Sequence, residues 1–152
     1  MSARRWTKQQ KRRGIAKGYR SGLEEAVAKQ LEDAEVNYQY EPWKIPYMVP
    51  ATEHKYTIDF VLSNGILVET KGRFTVEDRK KHLYIQKQYP ELDIRFVFTN
   101  PNTKINKRSK TSYADWCAKH GFQFAKKFIP KEWLEEEANW RSLQQINKIV
   151  RE

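Results

Sequence analysis

The sequence has too few cysteines and too little continuous apolar sequence for several classes of protein. Cys117 is the only cysteine among 152 residues, so the chain can form neither an internal disulfide nor a cysteine-based zinc site. No apolar run approaches the roughly 18 residues that a membrane-spanning helix needs, and no apolar stretch follows the basic N-terminus. We therefore expect a cytoplasmic protein that neither spans a membrane nor is secreted.

Acidic residues are absent from the first 20 positions, which hold eight bases. The other 132 positions hold 21 bases and 19 acids, so most of the net charge of +10 lies in this N-terminal arm. A run of like charge cannot form a core, and we expect residues 1–20 to be disordered until they meet a polyanion such as DNA. Counterion release would then drive binding, with a solubilising tail as the alternative. The basic residues of the arm are Arg4, Arg5, Lys8, Lys11, Arg12, Arg13, Lys17 and Arg20.

Residues 21–130 predict one α/β domain, and residues 131–152 predict a C-terminal helix. A small mixed β-sheet flanked by helices accounts for the order in which helical and strand-like patterns alternate. The expected helices of the domain cover 21–35, 76–89 and 112–120, and the expected strands cover 56–62, 66–71, 93–99 and 122–128. The expected apolar stripe of the C-terminal helix consists of Trp133, Trp140, Leu143, Ile146 and Val150.

A proline-rich segment follows the first predicted helix. It is expected to be extended, and Pro42, Pro46 and Pro50 exclude a central, fully paired strand. The segment also carries more apolar side chains than a solvated linker would, namely Trp43, Ile45, Tyr47, Met48 and Val49. We expect these side chains to pack on a second copy of the chain in a segment-exchanged homodimer. The alternative is an edge strand packed within one monomer.

A predicted hairpin carries the strongest chemical signal. Ser63-Asn64-Gly65 is a turn sequence between two predicted strands. A three-residue loop places Asp59 opposite Glu69, whereas a two-residue loop would pair Asp59 with Thr70. Two opposed acids repel unless a cation lies between them, so metal chemistry favours the three-residue loop. The alternative is a cross-strand salt bridge on a solvated face.

Glu69 and Lys71 form an acid-x-Lys pair on one face of a strand. Two other triplets of this kind begin at Glu53 and Asp78, but one lies in a loop-like stretch and the other on a helix, where positions i and i+2 diverge. Converging carboxylates hold a hard cation, and a lysine beside them stabilises the charge added to phosphorus. The pattern therefore indicates metal-dependent hydrolysis of phosphodiesters.

The hairpin residues have distinct expected roles in this chemistry. We expect Asp59 and Glu69 to hold the ion and the Thr70 carbonyl to add a ligand. Lys71 would stabilise the attacking water or the charge on phosphorus. Glu24 lies at the edge of the apolar stripe of the first helix, where it is either a further metal ligand or one half of an N-terminal capping box.

A second basic segment, residues 100–110, predicts a loop that contacts phosphate. Its bases are Lys104, Lys107, Arg108 and Lys110. No helix with obvious base-reading residues follows from the sequence, so we expect recognition of DNA shape rather than of a base sequence. The three histidines lack the spacing of metal ligands, which leaves zinc hydrolysis with little support.

Asp59, followed ten residues later by Glu69-x-Lys71, resembles the PD-(D/E)xK nuclease motif. A longer ordered set of segments, within about residues 18–134, is similar to the phage endonuclease I family. These segments are Arg20-Ser21-Gly22-Leu23-Glu24, Tyr40-Glu41-x-Trp43-Lys44-x-Pro46-Tyr47, Tyr56-Thr57-x-Asp59-Phe60, Asn64-Gly65-Ile66-x-Val68-Glu69-Thr70-Lys71-Gly72, Asp78-Arg79-Lys80-Lys81-His82-Leu83 and Pro90-Glu91-Leu92-Asp93-Ile94-Arg95. The similarity continues with Thr111-Ser112-Tyr113, Lys119-His120-Gly121 and Pro130-x-Glu132-Trp133.

The resemblance implies a restriction-endonuclease-like core in an intertwined homodimer that resolves four-way (Holliday) junctions with Mg²⁺ or Mn²⁺. It implies that Asp59, Glu69 and Glu24 are the acids of the metal site and that Lys71 is the catalytic lysine. Residues 43–51 would bridge the two halves, so that Glu24 of one chain completes the site on the hairpin of the other. A phage-infected bacterium would be the cellular setting. Two alternatives stay open at this point: a homing-type endonuclease specific for a duplex sequence, and a non-catalytic DNA-binding protein.

Overall fold

A computed structural model describes residue 19, residues 21–49 and residues 52–151 of the chain. All eight bases of the predicted DNA-binding arm, from Arg4 to Arg20, lie outside the described residues. The helices are α1 (Gly22–Asp33), α2 (Val76–Gln88), α3 (Tyr113–His120), α4 (Lys131–Glu135) and α5 (Trp140–Arg151). The strands are β1 (Tyr38–Tyr40), β2 (Lys44–Val49), β3 (Thr52–Thr57), β4 (Phe60–Leu62), β5 (Ile66–Lys71), β6 (Asp93–Phe98) and β7 (Phe124–Lys126).

Five of these strands form a mixed sheet in the order β1-β4-β5-β6-β7, and β2 pairs with β3 in a separate two-stranded sheet. Neighbours among β1, β4 and β5 are antiparallel, whereas β6 runs parallel to both β5 and β7. Parallel strands need a long crossover connection, which α2 supplies between β5 and β6. The mixed sheet with its flanking helices confirms the predicted α/β class.

Both faces of the central strand β5 are covered. Leu67 belongs to one apolar cluster together with Ile85 of α2, whereas the next residue, Val68, belongs to a second cluster together with Leu31 of α1. Successive side chains of a strand point to opposite faces, so two helices on opposite sides of the sheet bury the strand completely. Within β5 only Lys71, at its end, is partly exposed. Acidic groups at this end of the strand therefore lie in a largely water-excluded environment.

The three helices predicted within the α/β domain, over 21–35, 76–89 and 112–120, are confirmed within one or two residues at their ends. Ser21 caps α1 and Ser112 caps α3, each by accepting a hydrogen bond from the backbone N–H three residues later, at 3.1 and 3.0 Å. Gly121 ends α3 in the left-handed conformation, with φ of 77°. Among the described residues, no helix combines the length and the apolar character needed to cross a membrane.

The predicted strand over residues 56–62 is wrong as a single element. β3 ends at Thr57 and β4 begins at Phe60, because the chain leaves the two-stranded sheet and enters the five-stranded sheet at this point. Asp59 lies in the bend and accepts a hydrogen bond from the backbone N–H of Thr70. The bend between β3 and β4 thus directs the buried carboxylate of Asp59 toward β5.

The predicted C-terminal helix is also wrong as one element, because α4 and α5 are separate. Between them the backbone N–H of Asn139 donates to the carbonyl of Asn64 at 2.8 Å, which ties this segment to the hairpin loop. The Ser142 hydroxyl donates to the carbonyl of Gly65 at 2.6 Å and sets the rotation of α5. The buried residues of α5 are Ser142, Ile146 and Ile149. Two residues of the predicted stripe are consequently exposed, Trp140 and Val150.

The proline-rich segment forms β1, an edge strand of the large sheet, and β2, which places Val49 opposite Thr52 of β3. Ile45 and Tyr47 are buried in the cluster that contains residues of α2. The side chain of Gln88 exchanges two hydrogen bonds, of 2.7 and 2.6 Å, with the backbone of Met48. The core of the same chain thus covers the two apolar side chains, and the segment-exchanged homodimer stays a prediction.

Candidate active site

The β4–β5 hairpin has the predicted three-residue loop. Phe60 pairs with Val68 in the register of a three-residue loop, so Asp59, in the bend just before β4, lies beside the end of β5 that carries Glu69 and Thr70. Gly65, the last residue of the loop, has φ of +90°, a conformation that other residues adopt only with strain. The loop therefore brings two acids together at the open end of the hairpin.

Asp59 is held by the strand beside it. Asp59 is only 6% exposed. Its Oδ2 accepts hydrogen bonds from the backbone N–H and the hydroxyl of Thr70, both at 2.9 Å. Burial, followed by the charges of Glu69 and Glu24, nevertheless raises the pKa of Asp59 to about 8. Burial disfavours the ionised carboxylate, and nearby like charges add to that cost. A cation beside Asp59 would offset both effects.

Glu69 and Lys71 lie side by side, as expected for positions i and i+2 of a strand. Lys71 Nζ is 3.2 Å from Glu69 Oε1, while the hydroxyl of Tyr56 donates to Glu69 Oε2. Burial raises the pKa of Glu69 even though Lys71 and Tyr56 oppose the shift. Burial disfavours the ammonium, but the charges of Glu69 and Asp78 outweigh it and raise the pKa of Lys71. Lys71 is therefore a cation at neutral pH.

Asp78 fixes the lysine from the side opposite Glu69. Its Oδ1 lies 3.3 Å from Lys71 Nζ and 3.7 Å from Lys81 Nζ. The same carboxylate forms a capping box with Thr75 at the first turn of α2. Although burial opposes the shift, Lys71 and the hydrogen bonds from Thr75 lower the pKa of Asp78. A helix start thus anchors the ammonium of Lys71 over the end of β5.

A second carboxylate group forms where α1 and β1 meet the hairpin. Glu24, Glu41 and Asp59 each offer one oxygen, and these oxygens lie within 4.8 Å of one another. Glu24 is buried, and its carboxylate accepts a hydrogen bond from the hydroxyl of Tyr40. Glu69 does not belong to this group in the described chain, since its oxygens face Tyr56 and Lys71.

The donor set fits a hard divalent cation. Clustered carboxylate oxygens are the ligands that Mg²⁺ and Mn²⁺ prefer. The group of three acids holds no histidine or cysteine. Three carboxylates in a partly buried space repel one another unless a positive charge lies among them. The arrangement therefore has the ligand chemistry for such an ion, whose charge would be favourable among the three oxygens.

Glu41 is the acid of the site that sequence reasoning missed. Its backbone N–H donates to the carbonyl of Asp59 at 3.0 Å, and its φ is +42°. This backbone contact turns Glu41 toward Asp59 at the end of the β1–β4 pairing. The residue lies in a segment that carries the family resemblance, but no spacing rule joins it to Glu24, 17 positions away.

The predicted phosphate-contact loop begins at the end of β6, beside the end of β5 that carries Lys71. Lys71 of β5 is the register partner of Phe98 of β6, so both parallel strands end together and the loop over 100–110 begins there. Within the loop, Lys104 Nζ donates to the carbonyl of Lys110 at 2.9 Å. The four predicted contact residues are exposed, and they are Lys104, Lys107, Arg108 and Lys110. Their contact with DNA stays a prediction.

Comparison with known proteins gives a family for this arrangement. The family model described as phage endonuclease I matches residues 3–152. The chain is 56% identical over 126 residues to Endonuclease I of Escherichia phage T7, which covers 82% of this chain and 85% of that protein. It is 52% identical over 120 residues to Endodeoxyribonuclease 1 of Enterobacteria phage T3, with 79% of each chain covered. The resemblance seen in the sequence segments is confirmed, and the chain belongs to the phage endonuclease I family.

Proposed function

We propose that this protein is a metal-dependent endodeoxyribonuclease that hydrolyses phosphodiester bonds in branched DNA, such as four-way junctions, inside the phage-infected bacterium. Its family and the names of its relatives support the cleavage of DNA. The observation that carries the metal dependence is the convergence of Glu24, Glu41 and Asp59 next to the Glu69–Lys71 pair. Such a site combines ligands for a cation with a fixed positive charge.

Mg²⁺ or Mn²⁺ is the cofactor in this proposal, and Asp59 is its central ligand. The residues proposed to hold the ion are Asp59, Glu69, Glu24, Glu41 and, through its carbonyl, Thr70. A bound ion of this kind polarises the phosphate and lowers the pKa of a coordinated water. The chain itself contributes orientation, because the N–H and the hydroxyl of Thr70 hold one oxygen of Asp59 in place.

Lys71 acts on the reacting phosphate in this proposal. Its ammonium lies between Glu69 and Asp78, at 3.2 and 3.3 Å, and its side chain is 16% exposed. A positive charge held in place before the reaction stabilises developing negative charge without the cost of reorganisation. Lys71 therefore stabilises the attacking water or the charge that accumulates on phosphorus.

Nicking of a four-way junction tests the assignment. We expect cleavage with Mg²⁺ or Mn²⁺ and none in excess chelator. Asp59→Ala and Lys71→Ala should bind the junction but fail to cleave it. Lys131→Ala is the control, because Lys131 is exposed and pairs only at 3.6 Å with Glu135 on the surface. Cleavage that persists in chelator, or in either active-site variant, would show that these roles are wrongly assigned.

Selectivity for branched DNA has its own test. Phosphate contacts position a protein on DNA without reading sequence, and the exposed bases of the loop over 100–110 are of this kind. We expect a four-way junction to be cut in preference to random linear duplex, whatever the arm sequences. Cleavage at one duplex sequence, with junctions ignored, would instead support a homing-type endonuclease. Binding of both substrates without any nicking would support a non-catalytic DNA-binding protein.

The basic arm is proposed to raise affinity rather than rate. Its eight bases can neutralise several phosphates, but they include no group suited to the chemical step. A chain that begins near Gly18 should bind the junction with a flatter dependence of log K on log salt, by about 0.9 for each lost phosphate contact. Its cleavage rate at saturating enzyme should be unchanged. An unchanged salt slope would make the arm a solubilising tail.

The homodimer is proposed to form by exchange of the segment that ends with β2. Val49 and Thr52 are the last paired residues of β2 and β3, and the same strand pairing could form between β2 of one chain and β3 of another. α1 with Glu24 would then complete the site on the other chain's hairpin. Two opposed sites would also suit a four-way junction, which is resolved by two nicks.

Mixed dimers test this exchange. Chains carrying Glu24→Ala and chains carrying Asp59→Ala are unfolded and refolded together. A composite site leaves one intact centre in each heterodimer, so nicking should return in the mixture. Separately refolded variants are the control and should stay inactive. Confirmed heterodimers without nicking would mean that Glu24 serves its own chain.

A further inference from the structure

We infer that the hydroxyls of Tyr40 and Tyr56 are positioning groups for the metal site, each holding one glutamate carboxylate ready to bind the ion. Tyr40 donates to Glu24, and Tyr56 donates to Glu69. This inference rests on the proposed function, because it concerns the ligands proposed there. It assigns a role to one buried phenol, Tyr56, and one half-buried phenol, Tyr40, outside the acid-and-lysine motif.

Tyr56 is locked by packing, so its hydroxyl has one position. Its residue is 4% exposed, and its ring meets the ring of His82 edge-on at 5.0 Å between centroids. The ammonium of Lys81 lies 4.8 Å above the centre of the same ring. With the Tyr56 hydroxyl on Oε2 and Lys71 on Oε1, each oxygen of Glu69 has a defined donor. The orientation of Glu69 is thus determined from two sides.

Tyr40 occupies the corresponding place beside Glu24. It is the last residue of β1 and pairs with Phe60, the residue directly after Asp59. Its ring meets that of Tyr19 edge-on at 4.4 Å and lies 5.3 Å from that of Phe60. The hydroxyl therefore projects from a fixed ring toward a helix that carries a candidate ligand.

A neutral donor is chemically suited to this task. A hydrogen bond from a phenol stabilises a carboxylate and restricts its rotation without adding a positive charge that would compete with the metal. A lysine or arginine in place of Tyr40 would neutralise Glu24, and one in place of Tyr56 would add a second positive charge to Glu69, which already faces Lys71. Outer partners of this kind change metal affinity by about 10- to 100-fold when they are removed.

The assignment is the same for a monomer and for an exchanged dimer. Tyr40 and Glu24 both precede β2, whereas Tyr56, in β3, and Glu69 both follow it. Each tyrosine therefore stays with its glutamate in either arrangement.

Tyr38 provides a matched control on the same strand. It lies two residues before Tyr40 on β1, and its ring also packs on Phe60, at 5.6 Å. Its hydroxyl donates to Glu32 of α1 at 3.1 Å, just as Tyr40 donates to Glu24. Glu32 is not among the clustered acids of the described chain. Tyr38 and Tyr40 thus differ in that Glu24, the partner of Tyr40, belongs to the candidate site, whereas Glu32, the partner of Tyr38, does not.

The experiment compares Tyr40→Phe, Tyr56→Phe and Tyr38→Phe in the full-length protein. Binding of Mn²⁺ is measured directly, from the loss of the free-ion signal in electron paramagnetic resonance. The Mg²⁺ concentration for half-maximal nicking is measured in parallel. Tyr40→Phe and Tyr56→Phe should each weaken Mn²⁺ binding by about 10- to 100-fold and raise the Mg²⁺ requirement similarly. Saturating metal should restore most of the nicking rate, and Tyr38→Phe should stay within about twofold of wild type.

Three outcomes would overturn the inference. Wild-type Mn²⁺ affinity in both site variants would show that the hydroxyls hold nothing that matters to the metal. An equal loss in Tyr38→Phe would indicate a general effect of losing a β1 or β3 phenol. A rate loss that saturating metal does not restore would also contradict it. If Tyr56→Phe does not fold, as judged by circular dichroism, Tyr40→Phe alone decides.

Failure of the proposed function is recognised separately. If the wild-type protein binds no Mn²⁺ and nicks DNA in chelator, the proposed metal site itself is wrong. If the wild-type protein binds Mn²⁺ and needs metal, and the phenylalanine variants behave identically to it, only the role proposed for the tyrosines is wrong.

Discussion

The two ends of the β4–β5 hairpin satisfy their polar groups in opposite ways. At the loop end, the side-chain amide of Asn64 donates to the carbonyl of Trp133 at 2.9 Å, and Ser142 donates to Gly65. At the open end, Asp59 and Glu69 are buried with raised pKa values. The loop end is closed by hydrogen bonds to backbone carbonyls of the same chain, whereas the open end gathers carboxyl groups whose ionisation burial disfavours.

The charge balance separates a structural ion pair from a candidate site. Arg95, near the loop end, makes two hydrogen bonds to Asp93 and two to Glu136, at 2.7 to 3.0 Å. A guanidinium has enough donors in one plane to satisfy two carboxylates. At the open end one lysine faces Glu69 and Asp78, and the clustered acids lie close by. The clustering of carboxylate oxygens, rather than a paired guanidinium, is therefore what marks the candidate cation site.

The largest expected effect comes from removing one charge at the open end. Asp59→Asn keeps an acceptor for the donors of Thr70 but removes a ligand charge. Cleavage should fall by about 10³-fold or more, because loss of the ion's contribution costs several kcal/mol. The melting temperature of the metal-free protein should rise by about 2–4 °C at neutral pH, since an amide avoids the cost in stability that the raised pKa of the buried Asp59 carboxyl imposes. Junction nicking and calorimetry measure the two effects.

Asp115→Asn is the control for this change, because Asp115 caps α3 at the protein surface. It should leave cleavage at the wild-type rate and lower the melting temperature slightly. If the Asp59→Asn protein is less stable than wild type, the buried carboxyl of Asp59 does not lower the stability of the metal-free protein.

At the loop end, Gly65→Ala should lower stability and leave cleavage intact, the reverse of what we expect for Asp59→Asn. An added Cβ would lie 2.9 Å from the carbonyl oxygen of Asn139 and 3.1 Å from Leu143, at a φ of +90°. We expect a loss of about 2–3 kcal/mol in the free energy of unfolding, measured with urea. Cleavage at low temperature should be near normal. Gly22→Ala, where no atom lies within 4 Å, is the control and should be neutral or stabilising.

A smaller effect is expected at the ion pair near the loop end. Glu136→Gln removes one of the two charges that face Arg95, but Asp93 still pairs with the guanidinium. The side chain of Glu136 is 40% exposed, so we expect a loss of about 0.5–1 kcal/mol. Glu135→Gln, next to it and in a surface pair, should change stability by less. Equal losses in the two variants would show that the Arg95 network adds nothing specific.

Several features followed from local sequence alone. The three-residue loop set the register that pairs Phe60 with Val68 and so brings Asp59 to the end of β5 with Glu69, because a turn and its flanking strands are neighbours in the chain. Glu69 and Lys71 share a face because they are two residues apart in one strand. The helix starts at Ser21 and Ser112 were likewise predictable, since a cap and its partner lie within one turn.

Tertiary packing decided the rest. Glu41 meets Asp59 and Glu24 only because β1 pairs with β4 while α1 covers that side of the sheet, and no local pattern encodes such a meeting. The partners of Tyr40 and Tyr56 depend on the same packing. The face that α5 buries was misjudged because the hydrogen bond from Ser142 to the hairpin loop, rather than the apolar stripe alone, sets its rotation. Contacts between neighbours follow from chain geometry, whereas contacts between distant segments depend on how the whole core closes.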